Sequence, residues 1–430
     1  MPAVPAQVLS SVPKPPRQRI AIIGSGIAGL SAAWLLSQDH DVTLYERANA
    51  PGMGIFQVSI RNDRVDMAID IPLRVFTPAY YPSLLTLYRA AGVATETTNH
   101  AAAYADGHNG IFFHYGNWRM AGHSVAWPKY PNVRLLRAHL QFFRVLQRSR
   151  HDTNLAQQSF GDFLHDRGIF NEYAQRIMLP ALATVCTCDY DDVLAYPADM
   201  LVHYLTCGVM KDGLLRAQGG VNDVVSHLLD SSVTVRTRAA VEKIVEHDDQ
   251  VWVHLGEQSE GFDRVVIATQ PHHAAQLLMA SPSDAERCQL LSAIPITESR
   301  MQVHTDASLL PRSRLGLSPV SYFLPGQESR PEATVDLTKA MSSLAGCDPV
   351  LQVWNPLREA APDSVLADVS FTRPLVTLAS RQAVHSLRQQ DASQRVLLTG
   401  SYLCDGIPLL DGAVESSLRV ARLIGSSRAW

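Results

Sequence analysis

The stretch Arg19-Ile-Ala-Ile-Ile-Gly-Ser-Gly-Ile-Ala-Gly29 decides the fold of this chain. Its apolar, β-branched beginning is typical of a buried parallel strand. Gly24 permits a sharp turn, Gly26 removes a side chain where backbone approaches a pyrophosphate, and Gly29 lets the next helix pack closely on the strand. That helix, expected over about Gly26 to Ser37, points its N-terminal amides and positive dipole end at the diphosphate. The pattern therefore predicts a dinucleotide-binding βαβ unit.

The second strand of the unit, Asp41-Val-Thr-Leu-Tyr-Glu46, ends in an acid. Glu46 lies 22 residues after Gly24, near the spacing at which a carboxylate accepts hydrogen bonds from a ribose 2′-hydroxyl. A carboxylate here repels a 2′-phosphate, so NADP is disfavoured. Because the chain has no second GxGxxG turn, we expect no NADPH reduction on it.

Composition limits the function classes. The 430 residues are 46% hydrophobic and 18% charged, which allows a large core and two or three domains. A net charge of −4 gives no nucleic-acid signature. Six scattered cysteines argue against a disulfide framework and for a reducing, cytoplasmic location. Cys186-Thr-Cys188 lacks a second pair at metal-binding spacing, so no metal is expected.

Patterns along the chain outline a second sheet and a closing unit. Short β-like runs predict a mixed sheet from 301–304, 321–324, 333–337 and 350–354. We expect three later elements to belong to the nucleotide-binding unit: the strands Phe262–Thr269 and Arg395–Gly400 and a last helix over 411–425. Residues 214–220 are expected to open a helix that runs over 221–229, and the proline-rich residues 1–18 to form a disordered leader.

The predicted helix 132–150 carries five arginines and no acid. The interpretation favoured by its pattern is an ordinary amphipathic surface helix. The alternative is a peripheral contact with a membrane surface. No apolar run in the chain reaches the length of a transmembrane helix.

The N-terminal βαβ unit, the 262–269 strand and the closing strand, loop and helix together resemble FAD-dependent oxidoreductases of the amine oxidase and phytoene desaturase type. Within that superfamily, His304-Thr-Asp-Ala-Ser-Leu-Leu-Pro311 and Leu409-Leu-Asp-Gly-Ala-Val-Glu-Ser416 resemble segments of amine-oxidase-like proteins described as predicted NAD/FAD-binding. The order of helices near 180–210 and Gln218-Gly-Gly220 is also similar to that of a flavin-dependent fatty-acid double-bond isomerase.

The resemblance implies an α/β fold, with a Rossmann-type FAD-binding domain of the glutathione reductase-like, amine oxidase type. A substrate domain of mixed sheet and helices is interleaved with it. The FAD-binding domain would comprise 19–72, 216–279 and 393–430, and the substrate domain 73–215 and 280–392. The residues that would contact FAD are Gly24, Ser25, Gly26, Ala28, Gly29, Glu46, Arg47, Gly54, Leu73, Arg74, Val75, Val241, Thr269, Gly400, Ser401, Gly412, Ala413 and Val414.

The chain departs from the family pattern in three places. Pro51-Gly-Met-Gly54 replaces the usual Gly-Gly after the acidic strand, Ser401 replaces an acid, and Pro319-Val-Ser-Tyr322 replaces a frequent Trp-Asn-Tyr. The first two weaken individual cofactor contacts. The third lies in the substrate half and bears on substrate identity.

The expected reaction is removal of a hydride from an apolar small molecule, by C–C or C–N dehydrogenation of a lipid-like or secondary metabolite. Oxygen or a quinone would reoxidise the flavin. Alternatives are a redox-neutral double-bond isomerase, an amine oxidase and, more remotely, a non-catalytic flavin-binding protein. The candidate catalytic residues are Tyr402 beside the ring, Arg74 for negative charge, and Lys339, which matches the lysine that amine oxidases hold near the flavin. Cys404 is an alternative attachment point for a covalent flavin.

Overall fold

The computed structural model describes residues 16–52, 56–61, 66–107, 110–120, 123–129, 133–209, 213–311, 318–326, 328–391 and 394–430. Its strands are β1 (Arg19–Ile23), β2 (Asp41–Tyr45), β3 (Gln57–Arg61), β4 (Asp66–Asp70), β5 (Thr95–Thr98), β6 (Ala102–Asp106), β7 (Gly110–Met120), β8 (His123–Lys129), β9 (Leu214–Ala217), β10 (Val233–Arg236), β11 (Lys243–His247), β12 (Gln250–Leu255), β13 (Gln258–Phe262), β14 (Arg264–Ile267), β15 (Ile296–His304), β16 (Val320–Leu324), β17 (Glu332–Asp336), β18 (Leu351–Trp354), β19 (Val365–Pro374) and β20 (Val396–Leu398).

Helices connect and cover these strands. They are α1 (Ile27–Leu36), α2 (Pro82–Ala91), α3 (Val133–Ser149), α4 (Phe160–Asp166), α5 (Leu179–Cys186), α6 (Tyr190–Ala195), α7 (Ala198–Thr206), α8 (Gly220–Leu228), α9 (Pro271–Leu278), α10 (Ala285–Ser292), α11 (Leu337–Ala340), α12 (Leu378–Gln390) and α13 (Leu410–Ile424). Within the described residues, no helix is both long and apolar enough to cross a bilayer.

A parallel sheet of order β10-β2-β1-β14-β20 forms the nucleotide-binding half. Ile20, Ala21 and Ile22 of its central strand are fully buried, because helices cover both faces of such a sheet. Helix α1 lies between this sheet and α13. Its small residues allow this close packing and leave nearly all of the helix buried.

The substrate half is built on a sheet of order β19-β15-β18-β17-β16-β6-β7-β8. Most neighbours are antiparallel, while β16 and β6 pair in parallel, so the predicted mixed sheet is confirmed. Strands β11 and β12 pair as an antiparallel hairpin, with Asp248 and Asp249 at positive φ in its turn.

One local expectation needs correction. Residues 214–217 form a strand rather than the start of a helix, because β9 pairs antiparallel with β5. The helix predicted over 221–229 forms as α8, which begins at Gly220. The sequence patterns also gave no prediction for β19 or for α12.

The division into two domains stays a prediction. Leu291 of α10 and Leu387 of α12 are fully buried in the same core as Val265 and Leu398 of the parallel sheet. Boundaries at 280 and 392 would therefore cut through this packing. The predicted leader lies outside the described residues, apart from 16–18.

Helix α3 has the predicted amphipathic character. Leu135, Phe142 and Leu146 are buried against the protein, whereas Val133 and Leu140 are 64% and 52% exposed. Most of its apolar side is thus used in packing, and a membrane contact of this helix stays a prediction.

Candidate functional site

One cavity of about 1440 Å³ joins the glycine turn to the large mixed sheet. Ordinary single-ligand sites hold about 300–1,000 Å³, so this cavity has room for more than one ligand. At one end it is lined by the carboxyl ends of the parallel strands, where α/β folds bind nucleotides. At the other end Met178, Leu182 and Leu205 contribute apolar walls.

The glycine turn fits a diphosphate. Gly24 adopts φ +101°, which favours glycine, and a Cβ there would lie 3.0 Å from the Ala268 carbonyl oxygen. A Cβ on Gly26 would meet no protein atom within 4 Å. The open space in front of Gly26 is therefore a cradle that a side chain would fill, at the N-terminus of α1.

Glu46 is held in place by the same turn. Its Oε2 accepts hydrogen bonds from the Ser25 amide, at 3.0 Å, and from the Ser25 hydroxyl, and its Oε1 accepts one from the Ala48 amide at 2.9 Å. The Ser25 hydroxyl in turn accepts a hydrogen bond from the Gly52 amide. The carboxylate still has acceptor capacity for a ribose, because each carboxylate oxygen takes about two hydrogen bonds.

The cavity brings together most of the residues predicted to contact FAD. Those that line it are Gly24, Ser25, Gly26, Ala28, Glu46, Arg47, Leu73, Arg74, Val75, Val241, Thr269, Gly400, Ser401 and Ala413. Direct contact of each with the cofactor stays a prediction. Gly54 lies outside the described residues.

Three predicted cofactor residues do not line the cavity. Gly29 faces the preceding turn, where an added Cβ would come within 1.9 Å of the Gly24 carbonyl oxygen. It serves the packing of helix on strand. A Cβ on Gly412 would lie 2.5 Å from Cys404 Sγ, and Val414 is fully buried in the core.

A buried hydroxyl network places α13 over the nucleotide turn. Thr399, at the end of β20, lies 2.8 Å from the Ser416 hydroxyl and 2.9 Å from the Ser417 hydroxyl. Ser417 also donates to the Ala28 carbonyl of α1 at 2.8 Å. These bonds fix the N-terminal half of α13, and the amides and dipole at that end of the helix favour negative charge.

Gln352 of β18 positions the predicted flavin-facing segment, and sequence reasoning missed it. Its Oε1 accepts a hydrogen bond from the Leu73 amide at 2.6 Å, and its Nε2 donates to the Asp70 carbonyl at 3.0 Å. Arg74 follows directly and lines the cavity. A glutamine in a predicted strand carries no local signal for this role.

The structure gives no geometrical support for a catalytic Lys339. Its Nζ donates to Asp336 at 2.6 Å, in an ion pair at the edge of α11. Asp336 is itself buried and caps that helix. Lys339 is thus a positioned structural cation outside the wall of the cavity.

Tyr402 lines the cavity close to Gly400. The ring packs on Gly400, and the buried hydroxyl finds no hydrogen-bond partner among the described residues. Burial raises the pKa of Tyr402 further above its usual value. A proton-transfer role for this hydroxyl therefore lacks geometrical support.

We expect Tyr402→Phe to keep turnover unchanged and to raise the free energy of unfolding by about 1 kcal/mol, because it removes a buried, unpartnered hydroxyl. Urea unfolding and steady-state turnover measure the two effects. The matched control is Tyr80→Phe, which should be less stable because Tyr80 Oη accepts a hydrogen bond from the Ile407 amide. A tenfold loss of turnover in Tyr402→Phe would contradict this placement.

A covalent flavin on Cys404 is also poorly supported. Its thiol lies 2.9 Å from the Ser401 carbonyl and 3.3 Å from the Gly406 carbonyl. Burial raises the pKa of Cys404 to about 12. The thiolate that attachment needs is disfavoured at this place.

Asp411, in the first turn of α13, is a buried carboxylate that accepts a hydrogen bond from the Leu84 amide at 2.8 Å. Burial raises its pKa to about 6, against about 4 in an unfolded chain. The folded state therefore binds more protons than the unfolded state between these values, and stability falls as pH rises from about 4 to about 6.

The Asp411→Asn variant removes this titration. We expect the melting temperature of the variant minus that of the parent to increase between about pH 4 and 6, because only the parent loses stability there. Above about pH 6 the difference should level off. Glu286→Gln on α10 is the surface control and should show no such trend. A parent-to-variant difference that is flat across this window would refute the assignment.

Two further polar residues of the cavity were missed from sequence. His100, between β5 and β6, has its pKa lowered to about 4 by burial. Arg373 lies at the end of β19 and is likewise enclosed. The alternation of Val365, Ala367, Val369 and Phe371 with polar or exposed neighbours was the signal that could have revealed this strand.

Comparison with known proteins agrees with this geometry. The family model for flavin containing amine oxidoreductase matches residues 27–305. The fold is similar to that of the CLA-producing fatty acid isomerase from P. acnes, with a TM-score of 0.68, 14% identity, and coverage of 95% of this chain and 98% of that one. It is also similar to cyclohexylamine oxidase from Brevibacterium oxydans IH-35A, with a TM-score of 0.65, 16% identity, and coverage of 95% and 99%.

A short stretch also matches a larger curated protein. Over 63 residues the chain is 48% identical to the glutamate synthase (NADH) of Schizosaccharomyces pombe, which covers 14% of this chain and 3% of that protein. This match is too short to transfer an activity. The model match spans well over half of the chain, and it confirms the expected cofactor, fold and enzyme class: the chain belongs to the flavin containing amine oxidoreductase family and is an FAD-dependent oxidoreductase.

Proposed function

We propose that the enzyme removes a hydride from an apolar small molecule, by dehydrogenation of a C–C or C–N bond. The observation that carries this proposal is the continuity of the cavity from the glycine turn to the apolar walls around Leu182 and Leu205. A substrate held there would lie against a cofactor whose diphosphate occupies the Gly26 cradle. FAD supplies hydride acceptance when it is bound.

The residues of this chain contribute position and a dry environment. Stacked Tyr104 and Tyr322, with ring centroids 4.5 Å apart, form one wall of the cavity, and Trp354 forms part of another. Exclusion of water by such walls strengthens electrostatic interactions inside and holds the substrate in a reactive orientation.

Dehydrogenation removes a hydride, which FAD would accept when bound, and a proton, which needs an acceptor in the cavity. His100 is neutral at pH 7, because its pKa is about 4, and burial raises the pKa values of Tyr81 and Tyr204 above their usual range. Among these three groups, the neutral imidazole of His100 is the one that can accept that proton.

The two alternatives within the same enzyme class differ in their products. Dehydrogenation lowers the substrate mass by two hydrogens, isomerisation leaves the mass unchanged, and amine oxidation releases peroxide and an aldehyde. Mass spectrometry of products from the FAD-loaded protein with apolar acids, alkenes and amines separates the three. A product of unchanged mass with a moved double bond would replace our proposal with the isomerase, whose fold is similar.

A non-catalytic role is tested by the same experiment. The absence of any changed product across the panel, from a protein that is fully loaded with FAD, would contradict the proposal and leave the fold assignment intact. Oxygen and a soluble quinone serve as the two electron acceptors to compare.

A further inference from the structure

Arg373 is a cation that the protein itself does not neutralise. Its guanidinium lines the cavity, and the described residues offer it neither a hydrogen bond nor an ion pair. The guanidinium instead lies over the face of Phe371, with the ring centroid 5.6 Å from Cζ. By contrast, the buried side chains of Arg216 and Arg287 are paired with Glu96 and Asp284.

The surroundings of Arg373 do not compensate its charge. Burial lowers its pKa, and the neighbouring groups that act on it most are Tyr81, Tyr196 and Cys186, none of which is a carboxylate. Arg74 is a second cation nearby; Asp70 partly offsets its charge, and burial and the nearby Arg373 lower its pKa. Enclosing a guanidinium without an anion is costly, so this arrangement favours a ligand that brings the anion.

The acidic residues of the cavity are at its other end. Among the described residues that line it, the carboxylates are Glu46 and Glu242, and both belong to the nucleotide-binding half. Arg373, next to Tyr81 and the Cys186 thiol of α5, belongs to the substrate half. The diphosphate cradle at Gly26 already has its own cation, Arg47, at the cavity wall.

We infer that the substrate is an apolar carboxylic acid and that Arg373 binds its carboxylate through charge-assisted hydrogen bonds. A guanidinium matches a carboxylate with two parallel donors, while the apolar walls take up the rest of the molecule. A protonated amine is disfavoured, because two cations and no carboxylate would face it. This inference deepens the proposed function and relies on it only for the statement that the bound acid is the substrate.

The test is binding to the FAD-loaded protein, and it does not require turnover. Hexadecanoate, hexadecanamide and hexadecylamine are titrated while the flavin absorption spectrum and the heat of binding are recorded. We expect the acid to bind at least about tenfold more tightly than the amide, since a hydrogen bond to a charged group is the stronger one. Equal affinities, or tighter binding of the amine, would overturn the inference.

Variants locate the effect. In Arg373→Gln the preference for acid over amide should fall to about one, and Arg373→Lys should restore part of it. Arg89→Gln, which removes an exposed arginine of α2 and the same unit of charge, should keep the full preference. An unchanged preference in Arg373→Gln would show that the carboxylate binds elsewhere and would overturn the inference.

A second measurement separates the substrate from the cofactor as the partner of Arg373. The reduction potential of the bound flavin, without ligand, should be the same in Arg373→Gln and in the parent. If the potential shifts while the acid preference stays, Arg373 serves the flavin and the inference is wrong. If Arg373→Gln fails to fold or to retain FAD, the inference is still tested by the ratio of the affinities for acid and amide, measured in the parent and in Arg373→Lys. Failure of the proposed function would appear instead as binding without any product.

Discussion

The Gly29→Ala variant is expected to lose FAD and to unfold easily. A Cβ at this position would lie 1.9 Å from the carbonyl oxygen of Gly24 and 3.3 Å from Ala268 Cβ. The first of these is backbone of the nucleotide turn, which cannot rotate away as a flexible side chain could. We expect a loss of about 3 kcal/mol or more in the free energy of unfolding, the upper range for overpacking.

Thermal unfolding of the apoprotein and the flavin content of the purified protein measure this prediction. Ala32→Ser, at a buried position of the same helix, is the control for adding one heavy atom to a well-packed site. Retention of normal flavin content and melting temperature by Gly29→Ala would show that the helix does not pack on the turn as described.

The Gly26→Val variant is expected to fold normally and to bind FAD poorly. Gly26 has φ −62° and ψ 176°, which any residue can adopt, and a Cβ there meets no protein atom within 4 Å. The added side chain would instead occupy the space assigned to the diphosphate. We expect the dissociation constant of FAD to rise by about a hundredfold or more, equal to about 2.8 kcal/mol.

Gly26→Ala gives an intermediate step in the same series. The apoprotein melting temperatures of both variants should match that of the parent, whereas Gly29→Ala should not. Fluorescence titration of the apoproteins with FAD measures the affinities. If Gly26→Val binds FAD as tightly as the parent, the diphosphate lies elsewhere.

The nucleotide unit could be predicted from sequence because its signals are local. The strand, turn and helix from Arg19 to Leu36 follow one another within a few residues, and each glycine has one steric reason. The hydrogen bond between Thr399 and Ser416 could not be predicted in this way, because the two hydroxyls meet only when the closing strand and α13 pack together. A strand-and-helix pattern could predict the elements but not this bond.

The substrate half was harder because its residues depend on long-range pairing. Arg373 reaches the cavity through the antiparallel pairing of β19 with β15, in which Arg373 lies opposite Thr297. Lys339 and Tyr402 were chosen as candidates because each follows a predicted strand. Sequence separation from a strand does not fix side-chain direction, and an ion pair with Asp336 and packing on Gly400 decided those directions.

The central claim is that one cavity holds FAD at the glycine turn and an apolar carboxylic acid in line with it, as the substrate. Anaerobic mixing of the FAD-loaded protein with a panel of apolar carboxylic acids, followed by the visible absorbance of the flavin, tests it most directly. We predict that at least one acid bleaches the flavin at a rate that saturates with concentration, with one equivalent of a product lighter by two hydrogens. A flavin that stays oxidised with every acid, while a neutral compound or an amine reduces it, would contradict the account.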